Sequence, residues 1–216
     1  MACQGNTQNK SEMKTQKDSV SYGIGMNIGK DMKRQSIDVD PDLIAQGIKD
    51  AISGGKALMT EDQQRDVMTS FQKTLMAQRE AKAKEAGEKN KKDGEAFLAA
   101  NKTKDGVKTT ASGLQYKVLK MGDGKKPQAT DKVSVNYSGR LIDSTEFDSS
   151  YKRGQPTEYP VSGFIKGWIE ALQMMPVGSK WELYIPSDLA YGERGNGQII
   201  GPNATLIFEL ELLAIK

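Results

Sequence analysis

"DKVSVNYSGRLIDSTEFDSS", residues Asp131–Ser150, carries two signals at once. Up to Leu141 it is rich in Val, Tyr and Leu, with apolar and polar residues alternating in places, as in a strand with one buried face. Beyond Leu141 it places Phe147 ten positions after Tyr137, with the carboxylate of Asp148 directly behind. That combination resembles a working site, yet it contains no nucleophile–base pair.

The rest of the chain supplies none. Its 216 residues include no histidine and one cysteine, Cys3. Ser-His-Asp and Cys-His catalysis are excluded, and zinc centres, which lean on Cys and His, are disfavoured. No G-x-x-x-x-G-K-[ST] loop is present. "GERGNG" (Gly192–Gly197) opens no helix and does not read as a phosphate cradle. Asp143, Glu146 and Asp148 are neighbouring carboxylates, but in a strand or loop such groups usually face solvent. No metal and no cofactor are expected. The net charge is +3, with no strongly basic segment, which argues against nucleic-acid binding. No apolar run approaches the ~18 residues of a membrane span.

Working outward, "LQYKVLK", "KWELYIP" and "ATLIFELELLAI" read as further strands, separated by Gly- and Pro-rich turns. One short helix is expected at "SGFIKGWIEALQ", capped by Ser162, with Ile165, Trp168, Ile169 and Leu172 on one face. The expected fold is α+β: a twisted antiparallel sheet wrapped on one short helix.

The first half differs in composition. Of fourteen Phe, Tyr and Trp residues, only Tyr22, Phe71 and Phe97 precede residue 110, and so does only Pro41 of seven prolines. The shift marks a boundary near Lys104–Thr110. Val20, Ile24, Ile28 and Met32 form one helical stripe, with Gly25 and Gly29 sharing a face. Asp40, Pro41 and the pair Gly54–Gly55 bracket a second helix with a stripe of Leu43, Ile44, Ile48, Ala51 and Ile52. Thr60 and Gln63 have capping-box spacing for a third, striped by Val67, Phe71 and Leu75. From Gln78 this helix becomes a Lys-, Glu- and Ala-rich segment with the pairs Glu80–Lys84, Glu85–Lys89 and Glu88–Lys92. It would run to Lys104, about 65 Å at 1.5 Å per residue. Gly87 and Gly94 weaken it and invite a bend or break; a charged linker is the alternative. The divisions expected are a tether over 1–17, helical dimerisation over 18–59, a long connecting helix over 60–106 and the α+β domain over 107–216. Stripes with no local partner predict a homodimer through residues ~18–76.

Tyr137, Phe147, Ile165, Trp168, Tyr191, Ile200 and Phe208 are apolar residues near turns, the composition of a small-ligand pocket. Each taken alone reads equally as core, Trp168 and Phe208 above all. Tyr137 and Tyr191 are more telling, because a buried Tyr needs a hydroxyl partner. Asp148 can serve one of them.

The blocks "VNYSGRLIDSTEFDSS", "FIKGWIEALQMMPVGSKWELYIPSDLAYGERG" and "IIGPNATLIFELELL" resemble the signature of the FKBP-type peptidyl-prolyl cis-trans isomerases, over about residues 112–216. The preceding helices are similar to those of the macrophage infectivity potentiator subfamily. The resemblance implies that Tyr137, Phe147, Trp168 and Phe208 line a proline pocket with Trp168 as its floor. It implies that Ile165 offers its backbone N–H and Tyr191 its hydroxyl to the substrate, that Asp148 orients Tyr137 or a ligand group, and that Ile199 and Ile200 form one wall. Phe164 stands where Val is common, and Thr157 where an aromatic is common. Asn196 replaces an aromatic or His, and Gly201 a frequent Pro. The expected partners are proline-containing unfolded or exported proteins, macrolide-type inhibitors of the family and a second copy of the chain. The expected place is the Gram-negative envelope, periplasm or outer membrane. The start "MACQGN" then resembles the mature end of a lipoprotein, with a lipid on Cys3 as the only membrane attachment. A dimeric holdase chaperone and a surface interaction protein with a vestigial pocket are the alternative functions.

Overall fold

The computed structural model describes residues 12–55 and 57–216. Cys3, with its expected lipid, and residues 1–11 of the tether lie outside the described residues. The chain forms two compact units that divide between Met68 and Thr69.

The first unit holds α1 (Gln16–Arg34), α2 (Pro41–Ser53) and the start of α3 (Glu61–Asn101). Local chemistry sets their ends. Thr15 Oγ1 accepts from the Asp18 N–H at 3.1 Å, and Asp18 accepts in return from the Thr15 N–H at 3.1 Å. This capping box starts α1 at Gln16. Asp40 accepts from the N–H groups of Asp42 and Leu43 at 2.8 and 3.2 Å, and Gly54 closes α2 in the left-handed region. Thr60 and Gln63 exchange bonds at 2.9 and 3.2 Å, as their spacing predicts. No residue of α1 or α2 is buried. A Cβ built on Gly25 or Gly29 would meet nothing within 4 Å.

In the second unit α3 continues unbroken to Asn101. Helix α3 has no break at Gly87 or Gly94, so the charged-linker alternative fails. Both glycines are buried contact points. A Cβ on Gly94 would stand 2.3 Å from Thr205 Oγ1, and one on Gly87 3.1 Å from Pro202 Cβ. Close packing thus offsets the roughly 1 kcal/mol that each glycine costs a helix. Lys89 pairs forward with Asp93 at 2.5 Å rather than back with Glu85.

The sheet has seven antiparallel strands: β1 (Val107–Thr109), β2 (Gln115–Lys120), β3 (Lys132–Leu141), β4 (Glu146–Ser149), β5 (Thr157–Pro160), β6 (Lys180–Ile185) and β7 (Leu206–Ile215). Their order is β1-β2-β6-β7-β3-β4, with β5 also paired to β3. A one-turn helix, α4 (Ser150–Arg153), follows β4 directly. Helix α5 (Lys166–Met174) buries Gly167, Trp168, Ala171 and Leu172 in a core shared with Val133, Val135, Leu183 and Leu210. Ser162 does not cap α5. It lies in the 3-10 turn Val161–Gly163, and the extended Phe164 separates that turn from the helix, whose N-cap is Ile165.

Candidate functional site

Strand β3 points Tyr137 inward beside the sheet's central partner β7, which brings Phe208 opposite Gly139. The absence of a side chain at Gly139 is required. A Cβ there would stand 2.6 Å from the rings of both Phe147 and Phe208. Those rings meet edge to face at 5.4 Å across the gap. Strand β4 supplies Phe147 and Asp148, and α5 supplies Trp168 from below. Trp168 is 3% exposed and packs edge-on to Tyr137 at 5.0 Å and to Phe208 at 5.1 Å. Aromatic pairs prefer this arrangement.

Together these side chains form the base of a pocket of about 500 Å³. Phe164 and Ile165 border it on the α5 side, and Tyr191, Ile199 and Ile200 on the side of the loop before β7. Every residue singled out from the sequence for the site thus lines one cavity. Gly163, Gly197 and Gln198, which were not singled out, line it too. Asn196 shapes the rim by exchanging backbone bonds with Ile200, at 2.7 and 3.3 Å.

The polar groups divide into paired and unpaired. The Tyr137 hydroxyl donates to Asp148 Oδ2 at 2.5 Å, so Asp148 serves Tyr137 and not Tyr191. The Tyr137 N–H donates to the buried Ser150 Oγ at 2.8 Å, which fixes the strand under the ring. Arg153, at the end of α4, donates to the Tyr137 oxygen at 2.8 Å and to Thr157 Oγ1 at 3.1 Å, and pairs with the Asp148 carboxylate. Sequence reading missed Arg153. Its signal was faint: a basic residue at the end of a four-residue helix, brought to Tyr137 by the β3–β4 hairpin. Thr157, noted only as a departure from the family, is the last member of this chain of bonds.

Burial pushes the Tyr137 phenol above its ordinary value; the bond to the Asp148 carboxylate adds to this and Arg153 opposes it. The phenol therefore stays protonated and remains a donor at neutral pH. The carboxylates outside this network are also engaged. Glu146 pairs with Lys152 at 2.6 Å, and Asp143 accepts from the Thr145 N–H at 2.9 Å. Both are held below the usual carboxylate range, Glu146 chiefly by Lys152 and Asp143 chiefly by Thr145. Carboxyls held ionised in this way are poor general acids, which argues against a hydrolytic pair.

Two donors at the pocket have no partner among the described residues: the backbone N–H of Ile165 and the hydroxyl of Tyr191. The cavity thus offers an aromatic base, an apolar wall and two free donors, without a nucleophile.

Comparison with known proteins agrees over most of the chain. Residues 123–213 match the family described as FKBP-type peptidyl-prolyl cis-trans isomerase. Residues 17–118 match the domain amino terminal to FKBP-type peptidyl-prolyl isomerase. The chain is 51% identical over 202 residues to the outer membrane protein MIP of Legionella longbeachae, covering 94% of this chain and 87% of that one. It is 47% identical over 204 residues to the peptidyl-prolyl cis-trans isomerase Mip of Coxiella burnetii, covering 94% and 89%. Among solved structures it is similar to FkpA from Escherichia coli, with a TM-score of 0.71 and 33% identity over 95% of this chain and 99% of that one.

Proposed function

The chain belongs to the FKBP-type peptidyl-prolyl cis-trans isomerases, and we propose that it turns X–Pro bonds by holding the twisted amide in the aromatic pocket. The barrier to peptide rotation is ~18–20 kcal/mol because twisting breaks amide resonance. No bond is made or cut, so no nucleophile is needed, which suits a chain without histidine. An X–Pro amide already populates both isomers, separated by about 0.5–1 kcal/mol, and exchanges over tens of seconds. A twisted amide is less charge-separated than a planar one. A dry aromatic site therefore favours it over the ground state, which is differential binding of the transition state.

The geometry supports the following roles. The proline ring sits on Trp168, between Tyr137, Phe147 and Phe208, with Phe164, Ile199 and Ile200 at the sides. The Ile165 N–H and the Tyr191 hydroxyl donate to substrate carbonyls. Asp148, held by Arg153, fixes Tyr137. The observation that carries this reading is the pair of unpartnered donors at the rim of an otherwise apolar cavity. A macrolide-type inhibitor would compete for the same cavity.

We read residues 18–59 as a dimerisation region, 60–106 as a connecting helix and 107–216 as the isomerase domain. The exposed stripes of α1 and α2 support a homodimer that covers them: Ile24 is 56% exposed and Leu43 61%. The clients are proline-containing proteins exported to the Gram-negative envelope, in line with the outer-membrane name of the Legionella relative. No described helix is long and apolar enough to cross a membrane; a lipid on Cys3 would supply attachment.

Ile165 offers a direct test. Its φ of −63° and ψ of 152° suit proline, so Ile165→Pro removes the N–H while keeping the backbone. Compared with Ile165→Ala, which keeps the donor, it should lower kcat/KM about ten-fold, as expected for one hydrogen bond made in a water-poor site. Equal activity of the two variants would remove the Ile165 N–H from the mechanism.

A further inference from the structure

One wall of the proline pocket is a loop. Ile199 and Ile200 belong to it, and Ile199 is half exposed. Behind the loop lies a second cleft of about 390 Å³, between α3 and the turn after β3, and Ile199 lines this hollow too. Ile199, with hollows on both sides, lacks the close packing that fixes core side chains such as the buried Ile200. Other contacts must hold it in place.

Helix α3 makes those contacts. Asn90 Nδ2 donates to the Pro202 carbonyl at 2.9 Å. Asn203 Nδ2 donates to the Gly87 carbonyl at 3.4 Å. The helix backbone comes close enough at Gly94 that any side chain there would strike Thr205. Gly201 has no side chain where the resemblance expects Pro, and a Cβ there would stand 3.0 Å from Asn90 Nδ2. Gly87, Asn90 and Gly94 follow at spacings of three and four, so one helix face holds the loop. The N–H of the same Asn203 donates to the Gly192 carbonyl at 2.8 Å, which joins this held end to the start of the loop.

We propose that Asn90 and Gly94 are positioning residues of the isomerase site: α3 braces residues 199–205 and thereby sets Ile199 and Ile200 against the proline. Helix α3 is then part of the site's frame as well as a connection. The inference rests on the isomerase reading given above, and the test separates the two.

Full-length wild type, Asn90→Ala, Gly94→Ala and Gly94→Ala/Thr205→Ala are compared for kcat and KM on an X–Pro peptide, and for amide hydrogen exchange at Ile200 and Asn203. Asn90→Ala should raise KM about five-fold, the scale of one partly buried hydrogen bond, with kcat little changed. A purely structural defect would lower the folded fraction, reducing apparent kcat and leaving KM alone. Gly94→Ala should raise KM likewise, and removal of the Thr205 hydroxyl should recover part of the loss, a coupling expected only of groups in contact. Exchange at Ile200 and Asn203 should quicken in Asn90→Ala while the β7 amides stay protected. An unchanged KM in folded Asn90→Ala, or unchanged exchange at Ile200 and Asn203, would overturn the inference. An inactive wild type with quickened exchange in Asn90→Ala would overturn the isomerase reading and leave the brace standing.

Discussion

Leu172 in α5 and Ile48 in α2 are apolar residues on amphipathic helices of similar length, yet Leu172 is 0% exposed and Ile48 47%. The difference lies in what each helix faces. Helix α5 has buried strand residues against it, so its stripe is a core. Helix α2 presents a comparable stripe to open space, as α1 does. An apolar stripe fixes which side of a helix seeks burial but not which molecule supplies the cover. Burying an aliphatic side chain is worth about 1.5–3 kcal/mol, so several such residues left in water favour association.

Substitution at the two positions should separate these situations. Leu172→Ala should destabilise the isomerase domain by about 2–5 kcal/mol, seen as a lower urea midpoint. Ile48→Asp should leave that transition in place and instead shift the chain from dimer to monomer in sedimentation, with kcat/KM on a short peptide retained. If Ile48→Asp stays dimeric, the α2 stripe is not the dimer contact.

A smaller effect is expected at the pocket's edge. Arg153→Ala breaks the contacts to Tyr137, Asp148 and Thr157 but removes no group proposed to touch substrate. It should lower kcat/KM about three- to ten-fold, in line with the loss of one or two charge-assisted bonds partly screened by solvent. Arg153→Lys should recover only part, because an ammonium cannot reproduce the guanidinium fork.

The smallest expected effect is that of pH. The chain has no histidine, and Tyr137 is held above the ordinary phenol value, chiefly by burial. In folded protein kcat/KM should therefore be flat between about pH 6 and 9. The phenols of Tyr137 and Tyr184 are both raised in the folded state. The stability they contribute is present below the unfolded value of about 10 and is lost as pH rises through their folded values. The urea midpoint should accordingly fall in strong alkali, while a bell-shaped rate profile centred near pH 7 would contradict the mechanism.

Much of this was legible in the sequence where one rule sufficed. The alternation around Val133–Leu141 gives β3, and Asp40-Pro41 with Gly54 brackets α2. The spacing of Trp168, Ile169 and Leu172 gives α5. Strands β1, β4 and β5, of three or four residues, are too short to show a period, and long-range pairing rather than local propensity makes them. The Ser162 cap failed because a turn and an extended residue intervene before α5. The docking face of α3 was hidden for another reason. It is built on Gly87, Asn90 and Gly94, so hydrophobic periodicity does not see it, and its glycines read as weaknesses until Thr205 and Pro202 are found against them. The site's aromatic members were visible through their blocks, whereas Arg153 depended on the turn of α4.

The most direct test of the central claim is a protease-coupled isomerisation assay on a short X–Pro peptide, with wild type beside Phe147→Ala. Phe147 meets Phe208 at the pocket and is proposed to touch the proline. The account predicts strong wild-type activity and a loss of ten-fold or more in Phe147→Ala, about 1.4 kcal/mol of transition-state stabilisation. A folded Phe147→Ala protein as active as wild type would contradict it, since the aromatic pocket would then not be where X–Pro bonds turn.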